Sequence, residues 1–362
     1  YSAGAMSLAA AFFIDRFDRK TALLVSFCGL IVGTALCGLA DSFALLLGAR
    51  VVAGLFGGLL NALIYAIVGD MFAVERRGQA MGIIMTAFSV ASVVGVPLGL
   101  ALADWQGWEA PFLAVAALGV GCAVAAGLVL PPMRAHLQTR VRVAGRNPFE
   151  VLAQAAANPS ERSALALMFL IMLASFAIIP YISPYLVFNV GVSEKHLAYV
   201  YLLGGLVTLG TSPLVGRLAD RLGKARVFVW LAVASGLVFV ALTTLPPVPL
   251  AVALGVTTLF FITVSGRGVP AMALITSAVP AARRGGFMSL SSSVQQLTAG
   301  TAALVTGQLV HSQSDGHLTG YPLAGGLAVA ATVAALLVVR RVQPAAEVPP
   351  AVVASEAQPG AA

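Results

Sequence analysis

The sequence predicts an all-α polytopic membrane protein built from two pseudo-symmetric halves, and three observations predict it. Of 362 residues, 59% are hydrophobic and only 10% charged, whereas a soluble domain carries roughly 25% charged residues. Mean hydropathy is +0.95, so the chain cannot cover itself with polar surface and must have a bilayer as solvent. The apolar residues also fall into runs of spanning length, about 20 residues each. Finally, two landmarks recur. The segment around Asp15 returns around Asp220, 205 residues later, and Arg76–Gly82 returns as Arg283–Ser289 at an offset of 207. The same order at nearly the same spacing implies an internal duplication of about 206 residues.

One partial and ten full runs follow in order: 1–14 (partial), 22–40, 43–69, 79–103, 110–131, 164–188, 197–215, 226–245, 248–275, 286–310 and 320–339. Buried strands are shorter than these, and the polar material between runs is too thin for a soluble fold. Residues 1–132 form the first half. Residues 133–163 form a linker, with Asn147-Pro148 ahead of a helical piece at 149–157. Residues 164–342 form the second half, and 343–362 a disordered tail rich in Ala and Pro. The chain opens on Tyr1 within an apolar run, so its true N-terminus is expected upstream.

Orientation follows from Lys and Arg. Of the 21 such residues, only Arg50, Lys195 and Arg267 lie off one alternating set of loops. That basic side is expected to be cytoplasmic, with the linker and C-terminus on it. This topology accounts for the net charge of +7 without nucleic acid. Cys28, Cys37 and Cys122 lie within apolar runs, so no disulfide framework, metal site or cofactor is expected.

Ionisable groups at membrane depth are costly and mark function. Arg50 sits about 11 Å into its run. It heads a narrow stripe with Gly54, Gly57, Asn61 and Tyr65, within about 80° of one another at 100° per residue. The stripe faces either a polar cavity or a packed helix, the latter through Gly54 and Gly58. Ser289, Ser293, Gln296, Gly300 and Gly307 make a second stripe, with Gln296 near mid-membrane. Arg267, in Ser265–Pro270, lies about 20 Å from one face and 27 Å from the other. It either contacts substrate or a carboxylate, or is a structural arginine bonded to backbone carbonyls. Pro180 and Pro184 predict a kink. That kink puts Tyr181 on the pathway and Tyr185 either there or in an interfacial aromatic belt.

The loops carry a resemblance. Asp15-Arg16 with Arg19-Lys20, and Gly216 through Asp220-Arg221 to Gly223-Lys224, resemble the signature loop of the major facilitator superfamily. That loop joins the second and third helices of each six-helix half. Arg50 followed by Gly54 resembles the fourth-helix motif, and Gly95-Val96-Pro97-Leu98-Gly99 the fifth-helix Gly/Pro motif of the drug:proton antiporter branch. Ala11 and Asp18 stand where the pattern has Gly. The family has twelve helices, so the eleven here begin inside the second, and the first is expected ahead of residue 1.

The resemblance implies a fold of two six-helix halves around a central cavity in a bacterial inner membrane. It implies a monomer working by alternating access. Asp15, Arg16, Arg19 and Lys20, with Asp70 and Arg76, would form a cytoplasmic latch, repeated by Asp220, Arg221 and Lys224. Gly95, Pro97 and Gly99 would seal the bundle against leak by close helix approach. The implied activity is proton-coupled efflux of a small drug-like or sugar-like compound. No Asp or Glu lies near mid-membrane, so either the coupling group lies on the first helix, or Asp70 and the latch serve, or transport is not proton-coupled. An importer or exchanger of organic anions, with Arg50 and Arg267 pairing the charge, is the alternative. A polytopic membrane enzyme is a remote one, because the four histidines are scattered over separate loops.

Overall fold

The computed structural model describes residues 1–13, 17–71, 87, 90–133, 148–280 and 284–345. Asp15, Arg16, Arg76, linker residues 134–147 and most of the tail lie outside these residues, as do the side chains of Tyr65 and Asp70.

The chain is a bundle of helices. Helix α1 is Ser2–Phe13, α2 is Arg19–Gly38 and α3 is Phe43–Met71. A π-turn at Ala91–Gly95 leads into α4 (Val96–Gln106), and α5 is Ala110–Val129. Then come α6 (Pro148–Ala157), α7 (Pro159–Phe176), α8 (Ile182–Tyr185), α9 (Leu197–Leu222) and α10 (Lys224–Thr243). Helices α11 (Leu250–Ser277), α12 (Arg284–Leu309) and α13 (Tyr321–Val338) complete it. Two short antiparallel strands, β1 (His311–Ser312) and β2 (Leu318–Thr319), close the loop before α13.

Among the described residues, eight helical segments are long and apolar enough to cross a bilayer, so the protein is multi-pass. Their outer faces are apolar and exposed, as the 81% exposure of Leu128 on α5 illustrates. In water such a surface would be an aggregation site, whereas in a bilayer it is the wetted face. Helix α12 has the length, at 26 residues, but falls short in apolarity. Its Ser, Thr and Gln residues are tolerated because it packs against α1, α3 and α7.

The ends are set by local chemistry. Asp18 caps α2 by accepting the Lys20 N–H at 2.9 Å, and the same oxygen accepts the Met133 N–H at 3.2 Å. One carboxylate thereby starts α2 and holds the chain leaving α5. Asp18→Ala removes a cap and a tie and should cost about 1–2 kcal/mol, read as a lower unfolding temperature; Asp18→Asn should recover most of it. Asn158 caps α7, accepting from the Ser160 and Glu161 N–H groups, with Pro159 at the first position where no donor is needed. Helix α7 therefore starts inside the expected linker. Gly223 alone separates α9 from α10, at φ +95°, a conformation that penalises any residue with a Cβ.

The expected single run 164–188 is broken. Pro180 has no N–H for the Phe176 carbonyl, and the chain passes through a 3₁₀ turn at Ile179–Tyr181, the short α8 and a π-turn at Leu186–Val190. Gly191, at φ +86°, ends it.

Helix α3 packs on α1 and α2, and α2 on α5. Helix α11 packs on α9 and α10, and α13 on α7 and α10. The earlier helices meet the later ones at two seams: α1 and α3 with α12, and α9 with residues 91–106. A shift of about 206 residues carries α1 onto α9 and 91–106 onto α12, so these two seams are images of each other. The α7–α13 helices bury two apolar clusters. One lies around Phe239, Phe260 and Tyr321, the other around Leu167, Phe228 and Phe287.

Candidate functional site

Arg267 lies where those two clusters meet, only 1% exposed. Its Nη1 donates to Ser235 Oγ at 2.9 Å and Thr332 Oγ1 at 3.2 Å. Its Nη2 donates to Ser175 Oγ at 3.0 Å and the Ile171 carbonyl at 3.4 Å. The guanidinium also lies over the Phe239 ring, 5.1 Å from its centroid. One cation thus ties together α7, α10, α11 and α13. No carboxylate faces it among the described residues, and its Nε has no partner.

The three hydroxyls have already committed their protons. Ser175 donates to Ile171 O, Ser235 to Ala232 O and Thr332 to Ala328 O. They present only lone pairs inward, so the cage accepts a cation and repels an anion. The partners are mostly hydroxyls rather than the carbonyls expected of a structural arginine. The guanidinium points away from both seams.

Arg50 also points away from the seams. It lines a pocket of about 310 Å³ with Thr34, Cys37, Ala53, Pro111 and Phe112, and its guanidinium lies 5.0 Å from the Phe112 centroid. The stripe it heads on α3 divides among neighbours. A Cβ on Gly54 or Gly58 would run into Ser2 or Ala3 of α1, and one on Gly57 would touch Leu30 of α2. Those glycines serve helix packing. Asn61 is exposed.

The seams are where polar and small residues gather. Tyr1 donates to Thr301 Oγ1 at 3.2 Å, and a Cβ on Gly4 would lie 2.7 Å from Leu297. Gln296 is half-buried on the same helix, α12. A Cβ on Gly307 would lie 3.4 Å from the Tyr181 hydroxyl, so Tyr181 reaches the stripe that holds Gln296. Tyr185 neither joins it nor lies in a belt: it is buried and donates to Leu245 O at 3.0 Å. Asn189 exchanges two hydrogen bonds with Leu318, each 2.9 Å, and clamps the segment after α8 to β2.

The second seam corrects the expected geometry of the Gly/Pro motif. Among the described residues a Cβ at Gly99 would have no neighbour within 4 Å, and one at Gly95 would meet only Ala91 of its own turn. Pro97 acts through the backbone. It has no N–H for the Val93 carbonyl, and the preceding turn widens so that the Val96 N–H bonds Ala91 O. The close approach falls on that turn, where a Cβ at Gly205 of α9 would lie 2.6 Å from Val93 Cγ2 and 3.0 Å from its backbone nitrogen. Gly205 escaped sequence reasoning, although its pairing with Gly204 was a visible signal.

In the repeated loop, Asp220 and Arg221 are exposed on the last turn of α9, and Lys224 opens α10 half-buried. None is ion-paired among the described residues. Asp220 at a helix C-terminus and Lys224 at an N-terminus both oppose their helix dipoles. Helix stability alone does not account for them. Arg19 is buried at the start of α2, next to Lys20. Among the described residues no three His, Cys, Asp or Glu gather as a metal site.

A family model described as the Major Facilitator Superfamily matches residues 1–269 and 164–359. The chain is 31% identical over 320 residues to a chloramphenicol resistance protein of Streptomyces lividans, covering 87% of this chain and 78% of that one. It is 26% identical over 310 residues to an uncharacterised MFS-type transporter of Bacillus subtilis, covering 85% and 77%. It is 32% identical over 215 residues to a chloramphenicol efflux pump of Mycobacterium tuberculosis, covering 59% and 50%.

Proposed function

This chain belongs to the Major Facilitator Superfamily and is a multi-pass transporter of small molecules, and from that premise we propose that it exports a small, largely apolar compound of the chloramphenicol type in exchange for protons. The observation that carries this reading is the likeness to the chloramphenicol resistance protein over 87% of the chain. The π-turn that Pro97 builds into the α9 seam supports it.

Residues 1–132 and 164–342 are the two rocking halves, and the linker and C-terminus are cytoplasmic in a bacterial inner membrane. The protein works as a monomer. Substrate passes between the seams, along Gln296 and Tyr181. The Arg267 cage holds four helices of the second half together, so that this half moves as one body. Asp220, Arg221 and Lys224 latch the basic side by pairing across the halves in one state and parting in the other. Asp15, Arg16, Arg19, Lys20, Asp70 and Arg76 do the same from the first half. Anion exchange is disfavoured because Arg50 and Arg267 are both turned away from the seams.

Inverted membrane vesicles holding an acid lumen test the proposal. Adding chloramphenicol should raise lumenal pH, and Asp70→Asn should slow that response at least tenfold. No pH response, with a labelled organic anion still exchanging, would replace efflux by the anion reading.

A further inference from the structure

At the basic end of the bundle, α7 and α13 enclose a groove of about 650 Å³ lined by Ser160, Arg162, Ser163, Arg340, Arg341 and Gln343. We infer that this groove binds the phosphodiester headgroup of an anionic phospholipid. Three arginines line it, and among the described residues no acidic side chain does. The nearest acid in sequence, Glu161, is 2% exposed and takes a hydrogen bond from Asn158. None of the three arginines is ion-paired among the described residues.

The arginines are held by an anchored backbone. Arg340 and Arg341 lie on a 3₁₀ turn flanked by Val339 and Val342, both buried in the Phe228–Phe287 cluster. Ser160 Oγ donates to Gln343 O at 2.7 Å and accepts the Gln343 N–H at 3.0 Å. The Ala345 N–H then bonds Ser277 O at 2.9 Å. The chain leaving α13 is thereby tied to α7 and α11, and the groove keeps its shape. Other donors nearby are occupied: Asn158 takes the first N–H groups of α7, and Ser163 Oγ donates to Pro159 O. The guanidiniums remain to meet an anion, and their forked donors match a phosphate in two-point contact.

The surroundings choose a lipid over a soluble phosphate. The groove caps two membrane-spanning segments, Pro159–Val190 and Tyr321–Arg341, at the level of the headgroups. Arg162, Ala166 and Phe169 share one face of α7 at helical spacing, and Leu337 and Val333 one face of α13, next to the turn that carries Arg340. Phe169, Leu337 and Val333 are exposed. A bound headgroup would lay its acyl chains along these two stripes, and a free phosphate would leave them unused. The inference needs only a bilayer-embedded protein, so it survives if the efflux reading fails.

The test is native mass spectrometry of the protein from phosphatidylcholine nanodiscs doped with phosphatidylglycerol, counting retained phosphatidylglycerol. Arg340→Gln with Arg341→Gln should weaken retention about 25-fold, taking each surface arginine as about fivefold. Arg162→Gln, on the other helix, should weaken it about fivefold. Arg217→Gln with Arg226→Gln removes the same charge from the same side and should change retention less than about twofold. Inorganic phosphate should not displace the lipid. Unchanged retention in the Arg340/Arg341 variant would overturn the site. An equal loss in the Arg217/Arg226 variant would reduce it to net charge, and displacement by inorganic phosphate would make it a soluble-anion site.

Discussion

Arg267→Ala is expected to destabilise the protein by about 3–5 kcal/mol. Four hydrogen bonds are lost, each worth about 0.6 kcal/mol inside a bilayer. The vacated volume adds roughly 2 kcal/mol, because two apolar clusters cannot both collapse into it. Arg267→Met fills most of the space and should cost about half as much. The hydroxyls of Ser175, Ser235 and Thr332 keep their donations to their own helices, so no buried donor is orphaned. Arg267→Glu should be the worst of the three, since a carboxylate would face three sets of lone pairs. Thermal unfolding in detergent measures the series. If Arg267→Ala unfolds within about 1 kcal/mol of the parent yet abolishes transport, the residue acts on substrate or protons and the structural account is wrong.

Gly205→Leu is expected to cut transport at least tenfold while leaving most of the folded protein intact. Even a Cβ at Gly205 would press on the Val93 backbone nitrogen at 3.0 Å. Backbone cannot rotate aside as a side-chain tip can, so α9 must move off the π-turn. Overpacking of this kind costs about 1–3 kcal/mol, which the interiors of the two helix sets survive. The strain falls on the seam, where closure must be tight in one state. Gly99→Ala is the control, because among the described residues nothing lies within 4 Å of a Cβ at Gly99. Counterflow in proteoliposomes with equal amounts of folded protein reads both. Full activity in Gly205→Leu, or an equal loss in Gly99→Ala, would return the Gly/Pro motif to the role expected from sequence.

The contrast between those glycines shows what could be read from the chain. Spans were legible because solvent dictates them: a run of 20 apolar residues has few other places to go. The loop at Asp220–Lys224 was legible because charge at a helix end is visible without tertiary structure. Depth along a helix follows from counting, so Arg267 was expected deep in the membrane. Its direction around the axis was not legible, because its partners lie 92, 96, 32 and 65 residues away. The stripe on α3 could be read only as a choice between cavity and packing for the same reason, and Gly54 and Gly58 take the packing side. Five residues within 80° look like one face, yet α1, α2 and α5 divide that arc among them. Asp18 was legible only as a departure from the family's Gly, and neither its cap on α2 nor its tie to Met133 was read from the sequence.

The π-turn at Ala91–Gly95 also changes how the rest of its helix is to be drawn. One extra residue in a turn advances the azimuth by about 100°. A helical wheel plotted straight through 90–106 therefore assigns every side chain after Gly95 to the wrong quadrant. Cysteines placed singly along 96–106 and labelled from water or lipid should report reactivity with a period near 3.6, its phase about a quarter circle away from the one that an unbroken α-helix from Val90 would give. Deleting one residue from 91–95 would erase that phase difference and turn the 96–106 face, Trp105 included, toward a different neighbour.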